Sequence, residues 1–299
     1  MWLILCCGIG IFAAEGALHP GRRTLTAPDE ELALTIARQN RAVLEEVAIV
    51  ANDGVILRGW SIQPATRNSD AVLLLHGQSD NRVGMLGIAE MLLKHGFSVV
   101  LPDSRAHGMS GGRIATYGVL EADDVRAWFD WIEKKEQPRC IDGIGDSMGG
   151  GQILRSLAEE QHFCAVIAES PFATFEEAAF DRLGQAFGAG PWLGRTMLRP
   201  AIEAGMIYAK VRYGIDLEVA SPEASVAKSP VPVLLIHGLA DTNLPTRHSE
   251  LIKAHNETVA LWEPAGVGHC GAAAARPQEY EDRVLAWLQI HEPVGLRLQ

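Results

Sequence analysis

Three polar residues, Ser147, Asp241 and His269, have the types and the order that nucleophilic acyl transfer needs. A serine hydroxyl attacks a carbonyl only when a base takes its proton. A histidine base in turn needs a carboxylate to hold its tautomer. Ser147 stands in Gly145-Asp146-Ser147-Met148-Gly149, a GxSxG segment between an apolar run and a helical pattern. A sharp strand-to-helix turn crowds the positions two before and two after the nucleophile, and glycine there relieves the crowding. The turn also sets the hydroxyl at a helix N-terminus, where negative charge is favoured. Asp241 follows the apolar run 231–236, and His269 follows the run 258–262, so both sit just beyond expected strands. The base must be neutral to accept the Ser147 proton, so kcat/KM is expected to rise with pH through about 6 to 7.5.

An acyl-transfer site also needs donors for the developing oxyanion. The loop Leu75-His76-Gly77-Gln78 follows an early apolar run. The backbone N–H groups of Gln78 and Met148 are the expected pair of donors. His76 reads as a structural histidine of that loop. Glu169 ends another strand and is the next carboxylate to consider if Asp241 fails. A rival reading exists for the same residues: Gly143, Gly145 and Gly149, followed by Glu169, resemble a dinucleotide fingerprint. The spacing departs from GxGxxG, and the motif lies mid-chain rather than opening the fold.

These residues need a scaffold that alternates strand and helix. Residues 47–50 and 55–62 flank Asn52-Asp53-Gly54 as a hairpin. Buried strands are expected at 71–75, 97–101, 141–145, 164–168, 231–236 and 258–262. Helical spacing marks 28–44, 81–95, 117–135, 148–160, 248–254 and 277–290. The alternation predicts a mainly parallel sheet with helices on both faces. Residues 171–229 interrupt it with nearly sixty positions and no strand pattern, which reads as a helical cap insertion.

The chain has 299 residues, 47% hydrophobic, with a formal net charge of −11. So acidic a surface repels phosphate backbones and argues against nucleic acid as a partner. Cys6, Cys7, Cys140, Cys164 and Cys270 form no CxxC pair, and no HExxH is present, so neither metal nor cofactor is implied. Cys140 and Cys164 read first as small buried residues. Their places at the starts of neighbouring strands also leave a bridge geometrically open. Residues 2–18 are apolar but for Glu15 and would reach about 26 Å as a helix. Residues 1–20 are therefore expected to be a transmembrane anchor, or else a signal segment cleaved from a secreted or periplasmic protein. Arg22 and Arg23 favour a cytoplasmic side for the domain 21–299. On this reading, removing the segment leaves a soluble, active domain.

The segments LLLHGQSDN, LPDSRAHGMSGG, GDSMGGG, ESPF, LLIHGLADTNLP and GVGHCG resemble the α/β-hydrolase superfamily over residues 45–290. The resemblance is to the branch of serine aminopeptidase-like, dipeptidyl-aminopeptidase and acylaminoacyl-peptidase-like proteins. It implies the α/β-hydrolase fold, with Ser147, Asp241 and His269 as the triad and Gln78 and Met148 as oxyanion donors. Asp103, Arg105 and His107 match a segment that shapes a loop near the site. Asp146 stands where relatives carry Glu or His. The activity implied is hydrolysis of a carboxylic ester or a small amide or peptide bond, without a cofactor. Transfer to an acceptor other than water, and a binding protein that kept the fold, are the alternatives.

Overall fold

The structure is a computed structural model and describes residues 1–291. The last eight residues of the expected domain 21–299 lie outside the described residues. In chain order the first elements are α1 (Trp2–Leu18), α2 (Ala27–Gln39), β1 (Ala42–Val50), β2 (Ile56–Pro64), β3 (Asp70–Leu75), α3 (Leu86–Lys94) and β4 (Ser98–Pro102). There follow α4 (Glu121–Glu136), β5 (Cys140–Asp146), α5 (Met148–Ser156), β6 (Val166–Glu169), α6 (Phe175–Ala186), α7 (Pro191–Arg195), α8 (Arg199–Tyr213) and α9 (Pro222–Val226). The chain closes with β7 (Val233–Ile236), α10 (Arg247–Ala254), β8 (Ala260–Trp262), α11 (Ala272–Ala275) and α12 (Pro277–Ile290).

Local chemistry explains most of these boundaries. Gly54 takes a positive φ of 84° and lets the hairpin close between β1 and β2. Thr26 and Asp29 form a capping box at the start of α2. The helix expected over 28–44 stops at Gln39, because Arg41 turns left-handed and Ala42 already pairs with Pro64 across the β1–β2 ladder. The helix expected from Tyr117 begins at Glu121 instead. Its carboxylate accepts from the backbone N–H groups of Thr116 and Gly118, which ties down the preceding turn.

The strands form one sheet of eight, ordered β1-β2-β4-β3-β5-β6-β7-β8. β1, β2 and β4 pair antiparallel, and every pairing from β4 onward is parallel. This is the mainly parallel sheet that the strand-helix alternation predicted, in the α/β-hydrolase fold that the resemblance implied. Successive residues of β3 feed opposite faces. Val72 and Leu74 pack with α3 and α12, while Ala71, Leu73 and Leu75 pack with α4, α5 and α10. Fully covered strands need no polar alternation, which is why they read as continuous apolar runs.

Residues 171–229 hold α6 to α9 and, among the described residues, no strand. α1 packs along α8 in this region. Its Cys6, Gly10, Ala14 and Leu18 are buried, one every fourth residue, and form a seam. A Cβ on Gly10 would come 2.0 Å from the Ala201 carbonyl oxygen, and one on Gly205 would come 2.7 Å from that of Gly10. The two backbones therefore touch. Glu15 accepts hydrogen bonds at 2.6 Å from both Tyr208 and Tyr213. The expected transmembrane helix is not found: no helix among the described residues is long and apolar enough to cross a membrane. α1 is 17 residues long and carries Glu15 inside its last turn.

Candidate active site

Four parallel strand ends converge on one place. β5 ends at Asp146 and delivers Ser147, β7 leads to Asp241, β8 leads to His269, and β3 leads to Gly77 and Gln78. The carboxyl edge of a parallel sheet is where such loops gather. Ser147 has φ 51° and ψ −112°, a conformation a serine adopts only under constraint. The constraint is the pair of flanking glycines. A Cβ on Gly145 would lie 2.5 Å from the Gly149 carbonyl, and one on Gly149 would lie 2.3 Å from the Leu75 oxygen. The Ser147 N–H donates to the Glu169 carbonyl at 2.8 Å, which pins the turn to β6.

The three polar residues singled out in the sequence form one hydrogen-bonded chain. Ser147 Oγ lies 2.8 Å from His269 Nε2, and His269 Nδ1 lies 2.7 Å from Asp241 Oδ2. Asp241 is held from several sides. Its Oδ1 accepts from the backbone N–H groups of Asn243 at 2.8 Å and Leu244 at 3.0 Å. His237 Nε2 stands 3.3 Å from Oδ2. Burial alone would raise the Asp241 carboxyl, but hydrogen bonds from His237, His269 and Leu244 together hold it well below the usual carboxylate range. The Asp241 side chain is sealed from solvent while that of His269 keeps 22% of its exposure, so the chain runs from the interior outward.

Gly77 packs against the Ser147 side chain, with 3.6 Å from its would-be Cβ to that of Ser147, and Gln78 follows it. Met148 opens α5, where a first-turn N–H has no partner within the helix. Both residues expected to supply oxyanion donors thus border Ser147. The Gln78 side-chain amide donates to the Tyr117 hydroxyl at 2.9 Å, and Tyr117 donates to the Ala17 carbonyl at 2.8 Å.

His76 is enclosed below the loop. Its Nδ1 meets the Gly77 carbonyl at 2.7 Å, and its Nε2 accepts from the Ser104 N–H at 3.0 Å. Burial lowers it to about 4, so it stays neutral and acts as a brace. Asp103, Arg105 and His107 hold the neighbouring loop. Asp103 takes Arg82 at 2.8 Å and the Met109 N–H at 2.7 Å. Arg105 forks onto Asp124 with two bonds of 2.6 Å, and His107 Nδ1 donates to the Arg105 carbonyl of its own loop, 2.9 Å away.

Beneath Ser147 lies a feature that sequence reasoning did not anticipate. Asp146 and Glu169 are register partners on β5 and β6. Asp146 Oδ1 has no hydrogen-bond partner among the described residues. Glu169 receives the Ala272 N–H at 2.7 Å. Burial and mutual repulsion push Asp146 well above its ordinary range, while burial raises Glu169 to about 7 against the pull of the Ala272 N–H. Burial and the same two carboxylates also raise Cys270. Glu169, the alternative acid, points to Ala272, whereas Asp241 takes His269. His237 and Ser170, whose Oγ accepts from the Cys270 N–H at 3.2 Å, also serve the site and were not singled out beforehand. His237 was legible only as part of Ile236-His237-Gly238, with no signal that the ring would face Asp241.

Cys140 and Cys164 form a disulfide, with 6.0 Å between their Cα atoms. They are therefore not simply small buried thiols. Among the described residues the cluster of metal-type donors is Cys140, Asp142 and Cys164, and its two sulfurs are consumed by that bond. No dinucleotide turn is formed, since Gly145 and Gly149 close on one another instead of opening a phosphate cradle.

The eight-stranded sheet and the converging loops are those of the α/β-hydrolase fold. Residues 66–209, just under half of the chain, match the model of the serine aminopeptidase S33 family. The Pyrococcus furiosus esterase superposes with a TM-score of 0.73 at 25% identity, covering 93% of this chain and 99% of the esterase. Among curated proteins, Bacillus subtilis YqkD is 29% identical over 203 residues, 66% of this chain. Escherichia coli YfhR is 27% identical over 214 residues, 69% of this chain. The chain spans just under two thirds of the length of those two relatives, 63% and 66%.

Proposed function

We propose that this chain is a serine hydrolase of the esterase type. The observation that carries the reading is the unbroken hydrogen-bonded chain from Asp241 through His269 to Ser147. His269 Nε2 takes the Ser147 proton as Oγ attacks the carbonyl of an ester. The N–H groups of Gln78 and Met148 receive the negative charge that develops on the carbonyl oxygen. His269 then gives the proton to the departing alcohol, and an acyl-enzyme remains on Ser147. Water, activated by the same ring, releases the acid and restores the hydroxyl. Asp241 stays ionised throughout and balances the charge that His269 gains. No cofactor takes part. The likeness to an esterase at 25% identity favours an ester over an amide, and the serine aminopeptidase match over residues 66–209 keeps a small peptide-like amide as the substrate to compare.

The test is direct. A fluorophosphonate probe is expected to label the wild-type protein and not Ser147→Ala, whose circular dichroism and Tm stay those of the wild type. A panel of p-nitrophenyl esters and aminoacyl amides then separates ester from amide turnover. Full labelling of Ser147→Ala would move the nucleophile elsewhere, and no labelling of the wild type would favour a binding protein.

A further inference from the structure

We infer that the N-terminal end of α1, with the turn that leads into α8, is a docking surface for the outer few ångströms of a lipid bilayer. From Trp2 to Ala14 α1 is apolar around its whole circumference, yet over that length it is buried only along the stripe of Cys6, Gly10 and Ala14. Trp2, Leu3, Ile4 and Leu5 are consecutive and all exposed, Leu3 at 66% and Ile4 at 77%. Four consecutive helical residues point in every direction around the axis. A protein groove would take one stripe of such a helix, whereas fluid hydrocarbon takes all of it.

The geometry places the exposed residues beyond the helix that supports α1. α1 and α8 run parallel: Gly10 lies against Ala201 and Gly205, Ala14 against Gly205, and Glu15 reaches Tyr208 and Tyr213. By that offset the first residue of α8 is level with the second turn of α1. Trp2 to Leu5 therefore lie beyond the start of α8, clear of the helix beside them. Trp192 and Met197, on the approach to α8, are exposed apolar side chains as well.

Arg182, Arg195 and Arg199 lie in the stretch between Asp181 and Glu203; Arg195 pairs with Glu177, and the exposed Arg199 pairs with Glu203. Anionic headgroups would compete with those carboxylates for the two guanidinium groups. At its other end α1 enters the surroundings of Ser147: Leu18 packs in one cluster with Met148, Tyr117 and Phe172. A docked helix thus joins the membrane surface to the candidate site.

The test uses the full chain and needs no turnover, so it stands or falls apart from the serine hydrolase reading. Flotation is measured with vesicles of phosphatidylcholine and phosphatidylglycerol. Wild type and Ser147→Ala are expected to float equally. Ile4→Glu should lower the bound fraction about tenfold or more, because it removes an apolar side chain from the buried tip. Val211→Glu, a substitution at an exposed apolar position on the far end of α8, should float like the wild type with its helicity intact. Arg199→Glu should weaken binding to anionic vesicles and leave binding to pure phosphatidylcholine unchanged. Absence of wild-type flotation would overturn the inference. So would equal loss in Ile4→Glu and Val211→Glu, or a vesicle-free dimer that Ile4→Glu dissociates.

Discussion

Asp241 shows how much one carboxylate depends on its neighbours. Two backbone N–H groups and two imidazoles face it, so it remains ionised wherever the protein is folded at ordinary pH. Asp241→Asn keeps the shape but presents an amide that can hold the wrong His269 tautomer. The expected loss in kcat is about a thousandfold or more, with Tm nearly unchanged, as steady-state kinetics and thermal melts would show. A near-normal rate would remove Asp241 from the mechanism. Glu169 makes the opposite prediction. Its carboxyl is raised to about 7 from an ordinary 4.5, so between those values the folded chain holds a proton that the unfolded chain has released. Stability must then fall as pH rises from about 4.5 to 7, by about 2–3 kcal/mol in total. Glu169→Gln still offers an oxygen to the Ala272 N–H but cannot ionise. Denaturant melts from pH 5 to 8 should show a flatter profile for the variant, and parallel profiles would refute the raised carboxyl.

At the scale of elements, the contact of α1 with α8 is the joint to probe. The expectation that residues 1–20 can be removed without consequence came from their composition alone. In the structure Leu18 is fully buried, and Ala17 accepts from Tyr117, which also holds Gln78. Gly10→Ala puts a methyl group into the Ala201 carbonyl, so the helices must part. A loss of about 1–3 kcal/mol is expected. Gly16→Ala has nothing within 4 Å of the added carbon and should be neutral or stabilising by about 0.5–1 kcal/mol. Equal melts for the two variants would show that α1 does not rest on α8 in solution. The turn at Ser147 is tighter still. Gly145→Ala would press on the Gly149 backbone, and the expected result is a folded protein that has lost most of its labelling by fluorophosphonate.

For the whole molecule, the disulfide joins the start of β5 to the segment before β6, 24 residues apart, and so braces the two strands that carry the Ser147 turn and Glu169. Closing a loop of that length in the unfolded chain is worth about 3 kcal/mol in the chain-entropy account. Cys140→Ala with Cys164→Ala should therefore lower stability by about 2–3 kcal/mol. Turnover at a temperature well below Tm should be retained, since the bond lies at the opposite end of β5 from Ser147. Unchanged melts would mean that the two sulfurs are not joined in solution.

The three residues of the hydrogen-bonded chain and the strands that hold them were legible because their signals are local. GxSxG needs only five residues to state its turn, a strand covered on both faces is a run of apolar residues, and Asp241 and His269 each follow such a run. The order of these pieces along the chain, with right-handed connections, leaves few sheets to choose from. What tertiary structure alone decided are the relations between segments that share no local pattern. Composition could not tell an apolar helix that crosses a membrane from one that rests on Ala201 and Gly205, because the distinction lies in a partner about 190 residues away. Nor could sequence pair Asp146 with Glu169, turn His237 toward Asp241, or decide between a bridge and two thiols at Cys140 and Cys164. Strand register and backbone approach, fixed only when the sheet assembles, set those distances. Over them, burial and charge determine which carboxylate keeps its proton.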